Sequence, residues 1–417
     1  MLLQFVFSNY KSFKGETILD LTATKESELS FHIREIGSEK ILPAAVIYGA
    51  NAAGKTNIQS ALAYMQEMVL SSLNYGEDSK KDRYRRPTPF LFDKESENAP
   101  SSFEVYFTVP GDEKGVTYNY GFSCDNDGIA EEWMNSKART ARKFKSVFYR
   151  NRKDVEFDGI PANNRENLRI GLSERTLLVS LGARLNVEKL KIVFMFFNSV
   201  EIADFGEPLL NFMLSQNIPP HITDDEEVKR NVVKYFSSFD ESIVDLRVEV
   251  IKAEGDEDED LVSIDAGHRM LGTETIKYIP LKVESAGTLK MFALYPFVQD
   301  VLKNGGLLFV DELNARLHPL LVRTFVQLFL NPENNPQGAQ LIFTAHDSWL
   351  LSSGVFRRDE LWFTEKKDGC SQLYSLAEFV DEKGKGVRND ENYEKNYLLG
   401  KYGSIPIMKP FDVFKGD

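Results

Sequence analysis

The stretch that most constrains this chain is Gly49-Ala50-Asn51-Ala52-Ala53-Gly54-Lys55-Thr56-Asn57. It follows the apolar run Ile41-Leu42-Pro43-Ala44-Ala45-Val46-Ile47-Tyr48 and precedes a helical stretch from Ile58 to Leu70. A buried strand, a loop with glycines at its two bends and a helix, in that order, form the G-x-x-x-x-G-K-[ST] phosphate loop. Backbone N–H groups and the helix N-terminus of such a loop surround a polyphosphate. Lys55 then reaches the β- and γ-phosphates and the Thr56 hydroxyl ligates Mg²⁺, with Gly49, Asn51, Ala53, Gly54 and Asn57 completing the cradle. The competing reading is a Gly-rich turn that binds nothing. The order of the three elements argues against it.

At 417 residues the chain has room for two or three structural units. A formal net charge of −13 argues against coating nucleic acid or anionic membrane through the overall field, although local basic patches remain able to do so. Two cysteines, Cys124 and Cys370, are too few and too scattered for a disulfide framework or a zinc site, which suits a reducing cytosol. The start, Met1 to Phe7, alternates like a strand and carries no export signal, and no apolar run approaches the ~20 residues of a membrane helix. A cytoplasmic location with no membrane partner is expected.

Along the chain, residues 1–24 read as strand, turn, strand. A charged stretch, Glu77 to Arg86, reads as a surface loop. From Phe90 to about Phe157 the period is two, with turn signals at Pro110-Gly111-Asp112 and Asp125-Asn126-Asp127-Gly128, predicting an antiparallel meander. Helical spacing follows at Leu177–Leu185, Val187–Asn198, Leu209–Ser215 and Asp225–Phe239. The expected division is an N-terminal lobe over 1–160, a helical insertion over 161–242 and a C-terminal lobe over 243–417. Strands at Ile243–Lys252 and Leu261–Asp265 flank the acidic run Glu254 to Asp260, which reads as a solvated hairpin tip rather than a docking site.

Gly305-Gly306-Leu307-Leu308-Phe309-Val310-Asp311-Glu312 is an apolar run emptying into two carboxylates, the pattern of a buried parallel strand whose carboxyl end faces a ligand. Asp311 suits a Mg²⁺ holder, directly or through water, opposite Thr56, and Glu312 suits the base that orients an attacking water. Ala339 to Phe343 forms another strand, ending in Thr344-Ala345-His346-Asp347, where His346 could sense a γ-phosphate. Glu284-Ser285-Ala286-Gly287-Thr288-Leu289-Lys290 opens a helix. Ser285 is first an N-cap there, and the Ser-x-Gly turn is also a second anion site. One chain rarely needs two such sites for one phosphate tail unless the second serves a nucleotide held by a neighbouring subunit.

Phosphate loop, Ser285-x-Gly287 helix, Asp311-Glu312 strand and strand-ending His346 together resemble the ATP-binding cassette ATPases, in their RecF/SMC branch. Asn9-Tyr10-Lys11-Ser12-Phe13 is similar to the element that follows the first strand in that branch. Asp311 to Pro319, Thr344 to Asp347 and Tyr402-Gly403-Ser404-Ile405-Pro406 resemble bacterial AAA-annotated anti-phage ATPases of the RloA, AbiL and AriA type. The resemblance implies an α/β ABC-type head, a mixed sheet with an antiparallel β subdomain and a helical insertion. It further implies an ATP and Mg²⁺ sandwich in a homodimer or higher homo-oligomer. Gly49 to Thr56 of one subunit would hold the triphosphate and Ser285 and Gly287 of the other would cap it. Leu313 to His318 would couple the two sites and Lys11 would lie near the nucleotide. A separate effector, a nuclease or toxin, would be the partner in phage defence. The branch usually supplies a glutamine before the insertion to complete Mg²⁺ coordination, and no Gln occurs from 67 to 215. No substitute is evident from the residues.

Two basic segments remain. Lys80 to Arg86 is one. The other runs through Lys137, Arg139, Arg142, Lys143, Lys145, Arg150, Arg152 and Lys153 without an acid, interleaved with Phe144, Phe148 and Tyr149. Either could bind nucleic acid, as a RecF-like repair ATPase would, or form a solvated strand face.

Overall fold

The computed structural model describes residues 1–75, 84–206, 218–251, 261–352, 354–381 and 384–405. The helix expected at Leu209–Ser215, the acidic run Glu254 to Asp260 and most of the Glu77–Arg86 loop lie outside the described residues, as does Pro406.

The strands in chain order are β1 (Leu2–Ser8), β2 (Thr17–Asp20), β3 (Arg34–Ile36), β4 (Glu39–Ile41), β5 (Ala44–Gly49), β6 (Ser101–Thr108), β7 (Thr117–Cys124), β8 (Ile129–Lys137), β9 (Lys145–Asn151), β10 (Asp154–Phe157), β11 (Val200–Asp204), β12 (Ile243–Ile251), β13 (Leu261–Arg269), β14 (Ile276–Pro280), β15 (Leu307–Asp311), β16 (Gln340–Ala345), β17 (Leu361–Lys367) and β18 (Cys370–Ser375). The principal helices are α1 (Lys55–Ser71), α2 (Lys94–Asn98), α3 (Ala162–Gly171), α4 (Leu178–Arg184), α5 (Glu188–Asn198), α6 (Glu226–Ser237), α7 (Ala286–Asn304) and α8 (Pro319–Leu330).

Two large sheets enclose α1. One is the antiparallel meander, in the order β10-β9-β8-β7-β6-β1-β2. The other runs β11-β15-β16-β5-β17-β18 and is parallel from β11 to β17, with β18 returning antiparallel. Every residue of β5, β15 and β16 is buried, because the sheet is covered on both faces. The two-residue period divides each strand between two cores. Ala45 and Ile47 of β5 join Phe309, Ile342 and the apolar face of α1, where Ile58, Ala61, Leu62, Met65 and Met68 recur at helical spacing. Ala44, Val46 and Tyr48 face the other way, into a core with α7 and α8 that includes Leu294, Val298, Val322 and Phe325.

The stretch 161–242 is not wholly helical. After α3, α4 and α5 the chain enters the second sheet as β11, which pairs in parallel with β15 from Val200↔Leu307 to Asp204↔Asp311. Helix α6 then packs with β12, β13 and Phe292 and Tyr295 of α7 in a separate small core. The carboxyl ends of β11, β15, β16 and β5 therefore lie along one edge of the sheet, and the loop entering α1 springs from the same edge.

Candidate nucleotide site

The phosphate loop leaves β5 at Gly49 and enters α1 at Lys55. Its two end glycines are sterically required. A side chain at Gly49 would place Cβ 2.2 Å from Thr364 Oγ1 of β17, and one at Gly54, whose φ is +113°, would lie 2.6 Å from Ser371 Oγ of β18. Gly54 is the N-cap of α1, so no side chain caps the helix, and its first turn carries no acid. That leaves a helix N-terminus suited to an anion.

Lys55 is only 6% exposed. Its ammonium donates to Gly49 O at 2.7 Å and Ala50 O at 3.1 Å, lying back across its own loop. Burial lowers its pKa, opposed by the charges of Asp311 and Glu312. Thr56 Oγ1 donates to Asp311 Oδ2 at 2.7 Å. From the next strand Thr344 Oγ1 donates to Asp311 Oδ1, and Glu312 N donates to Thr344 Oγ1 at 2.8 Å. The buried Asp311 carboxylate is thus held between two threonine hydroxyls, one from α1 and one from β16.

At Glu312 the chain turns with φ +53°, which swings its carboxylate out of the strand line. Glu312 Oε1 lies 3.2 Å from His346 Nε2, and His346 N donates to Asn314 Oδ1 at 3.3 Å. Base candidate and histidine candidate, separate in sequence, are partners in space because β15 and β16 are adjacent and in parallel register.

Lys11 also stands in a left-handed turn, at φ +49°, with its backbone N–H on Thr88 O at 2.8 Å. Burial lowers its pKa, Arg85 lowers it further, and Asp204 acts in the opposite sense. Lys11 is therefore close enough to the end of β11 to sense its carboxylate. The Asn57 amide donates to Ser12 Oγ at 2.8 Å, which also accepts from Ser371 Oγ at 2.8 Å. Asn57 and Ser12 tie the loop to β18 and to the 9–13 element. Asn51 is exposed at the loop tip and Ala53 is buried.

Ser285 and Gly287 are not joined to this cluster by any hydrogen bond among the described residues. Ser285 caps α7, accepting from Thr288 N at 3.1 Å, and is exposed. A side chain at Gly287 would place Cβ 2.9 Å from Arg316 O, so the turn rests directly on the loop after Glu312.

The basic segment is not one patch. Arg150 is wholly buried, donating to Glu132 Oε2 at 3.3 Å, Thr176 O at 2.6 Å and Ser173 O at 2.8 Å. Lys137 pairs with Glu39 at 2.8 Å, Lys153 with Glu174 at 3.0 Å and Arg152 with Asp125. A charge count along the chain could not anticipate these partners, which come from other strands and loops. Arg139, Arg142, Lys143 and Lys145 remain exposed around the β8–β9 turn.

Two residues near the site escaped the sequence reading. Lys290, one turn into α7, donates to Glu312 O at 2.7 Å and Ala315 O at 3.1 Å, with its ammonium 4.4 Å from the Phe205 ring centroid. Burial, reinforced by Arg316 and opposed by Glu312 and Asp311, pushes its pKa down to about 7. The available signal was a lysine in an otherwise apolar helix start. Asp204 closes β11 in register with Asp311, and a five-residue half-polar strand gives no strong signal.

A mixed sheet with a phosphate loop at its centre, acids at the adjoining strand end and an antiparallel lobe over α1 defines the class: this is a P-loop ATPase with an ABC-type head. The chain belongs to the family described as "AAA domain, putative AbiEii toxin, Type IV TA system", whose pattern matches residues 44–352, well over half of it. No curated protein matches it. Among solved structures it is similar to an SmcHead bound to the C-winged helix domain of ScpA, at 14% identity over 90% of this chain and 97% of that one, with a TM-score of 0.45. It is also similar to the Smc head domain with an extended coiled coil bound to the C-terminal domain of ScpA from Pyrococcus furiosus, at 14% identity, 90% and 96% coverage and a TM-score of 0.42. Among the described residues no helix is long and apolar enough to cross a membrane.

Proposed function

We propose that this ATPase is a switch: two copies close around ATP, and closure controls a partner effector in anti-phage defence. The observation that carries the self-association is the placement of the Ser285-x-Gly287 turn. It is an exposed helix N-terminus resting on the loop after Glu312, yet no hydrogen bond among the described residues links it to its own phosphate loop. A second copy gives that turn a γ-phosphate to cap. The defence role is supported by the family description, whose terms are those of a toxin system.

The donor set suits magnesium. Thr56 and Asp311 offer hard oxygens 2.7 Å apart beside the phosphate loop, and such ions are held by one or two carboxylates together with substrate phosphates. Thr56 and Asp311 would hold the ion, which when bound neutralises charge on the β- and γ-phosphates. Lys55 leaves its two loop carbonyls for the phosphate oxygens. Glu312 accepts a proton as water oxygen attacks the γ-phosphorus; the bond from that phosphorus to the β,γ-bridging oxygen breaks, and ADP leaves with the electron pair. His346, hydrogen-bonded to Glu312, orients that carboxylate and reaches the transferred phosphate.

The test is light scattering of the purified chain with ATP and Mg²⁺, on the parent and on Glu312→Gln. The expected result is an ATP-dependent assembly that Glu312→Gln traps with unhydrolysed ATP. A chain that stays monomeric in both cases overturns self-association, and Glu312→Gln turning over at the parental rate removes the base assignment. Within the Lys137 to Lys153 segment the DNA-gripping alternative rests on the exposed Arg139, Arg142, Lys143 and Lys145. ATP-dependent, salt-sensitive duplex binding lost on neutralising those four would favour it.

A further inference from the structure

We propose that Asp204 supplies a third protein oxygen to the magnesium ion, beside Thr56 and Asp311. This rests on the nucleotide reading of the site. β11 and β15 are parallel neighbours with Asp204 paired to Asp311, and paired residues of adjacent strands point to the same face. Asp204 is therefore directed to the face on which Asp311 meets Thr56. The Asp204, Asp311 and Glu312 carboxylates all border one backbone position, Gly206. The point a Cβ would occupy there lies 3.4 Å from Asp204 Oδ1, 3.4 Å from Asp311 Oδ2 and 3.5 Å from Glu312 Cδ. Asp311 Oδ2 is the oxygen that accepts from Thr56.

Like charges gathered at one strand end repel, and a divalent cation turns that repulsion into coordination. The Gly206 N–H fixes Asp204 Oδ1 at 2.9 Å, which orients the carboxylate before any ion arrives. Among the described residues no three His, Cys, Asp or Glu side chains form a metal-binding group of their own.

The experiment titrates Mn²⁺ as the probe by electron paramagnetic resonance, on the full chain saturated with a non-hydrolysable ATP analogue. Nucleotide affinity in EDTA and thermal midpoints are measured in parallel. Asp204→Ala should weaken Mn²⁺ retention about 10- to 100-fold, and Asp204→Asn, which keeps one neutral oxygen, should weaken it less. Nucleotide affinity in EDTA should not fall below the parent's in either variant, because loss of a carboxylate beside the phosphates only relieves repulsion when no cation is present. Mn²⁺ retention equal to the parent in Asp204→Ala overturns the assignment, as does an equal loss of metal-free nucleotide affinity, which would make Asp204 a support for the loop. A parent chain that binds no nucleotide overturns the ATP reading itself, so the two failures are distinguishable.

Discussion

Lys55, Arg150 and Glu201 are charges removed from water in three different ways, and each predicts a different loss. Lys55 is hydrogen-bonded, among the described residues, to carbonyls of its own loop. Lys55→Ala should therefore leave the fold standing and abolish ATP binding by isothermal titration. Arg150 is buried against Glu132, whose carboxylate also accepts from Leu178 N at 2.7 Å and Val179 N at 3.2 Å. Removing the guanidinium strands a buried carboxylate, so Arg150→Ala should cost about 3–5 kcal/mol in urea unfolding. Glu201 on β11 has its pKa raised to about 7 by burial and then by Asp300. The folded chain thus holds that proton more tightly than the unfolded chain, where the ordinary value is 4.5. The resulting stability is present below the ordinary value and lost as pH rises through about 7. Glu201→Gln should flatten the fall in thermal midpoint between acid and neutral pH. An unchanged slope would mean that Glu201 is hydrated.

At the scale of elements, α7 is bound to the loop after β15 by one buried lysine. That loop holds two non-glycine residues at positive φ, Glu312 at +53° and Arg316 at +64°, a conformation costing about 1–3 kcal/mol each that its surroundings must sustain. Lys290 bonds the carbonyls of Glu312 and Ala315 between them. Lys290→Met preserves the length and packing of the side chain and removes both bonds. Nucleotide affinity should persist while kcat falls, because the carboxylate of Glu312 is no longer aimed. Equal kcat and equal affinity would reduce Lys290 to a packing residue. The 9–13 element is held in a comparable way: Asn9 donates to Ser96 O at 2.8 Å and accepts from Phe90 N at 3.0 Å, which fixes where Lys11 stands.

For the whole molecule, the proposed switch requires the exposed Ser285 turn to meet another copy. Ser285→Arg places a long side chain at that turn without touching the phosphate loop. ATP-dependent association should disappear in light scattering while nucleotide binding to the single chain is retained. Loss of both would show that the turn supports its own nucleotide site.

The local patterns were enough to write down β5, the phosphate loop, α1, β15 and β16, along with the meander strands β6 to β9. Buried parallel strands are continuous apolar runs, exposed meanders alternate, and the loop glycines are demanded by contacts shorter than a Cβ allows. Lys55 and Thr56 were legible from the glycine spacing of the loop, and Asp311, Glu312 and His346 because they sit at or just past the end of such a run. Other features depend on which strands become neighbours. β11 lies inside a helical stretch and is recognisable only through its pairing with β15, so Asp204 entered the site unannounced. The basic segment looked continuous along the chain, but Arg150 turned inward to Glu132, and Lys137, Arg152 and Lys153 found acids on another strand and on loops. Period and composition report how much of a side chain must be buried; which charge it meets there is decided by long-range packing, and that is where the chemistry of this site was assembled.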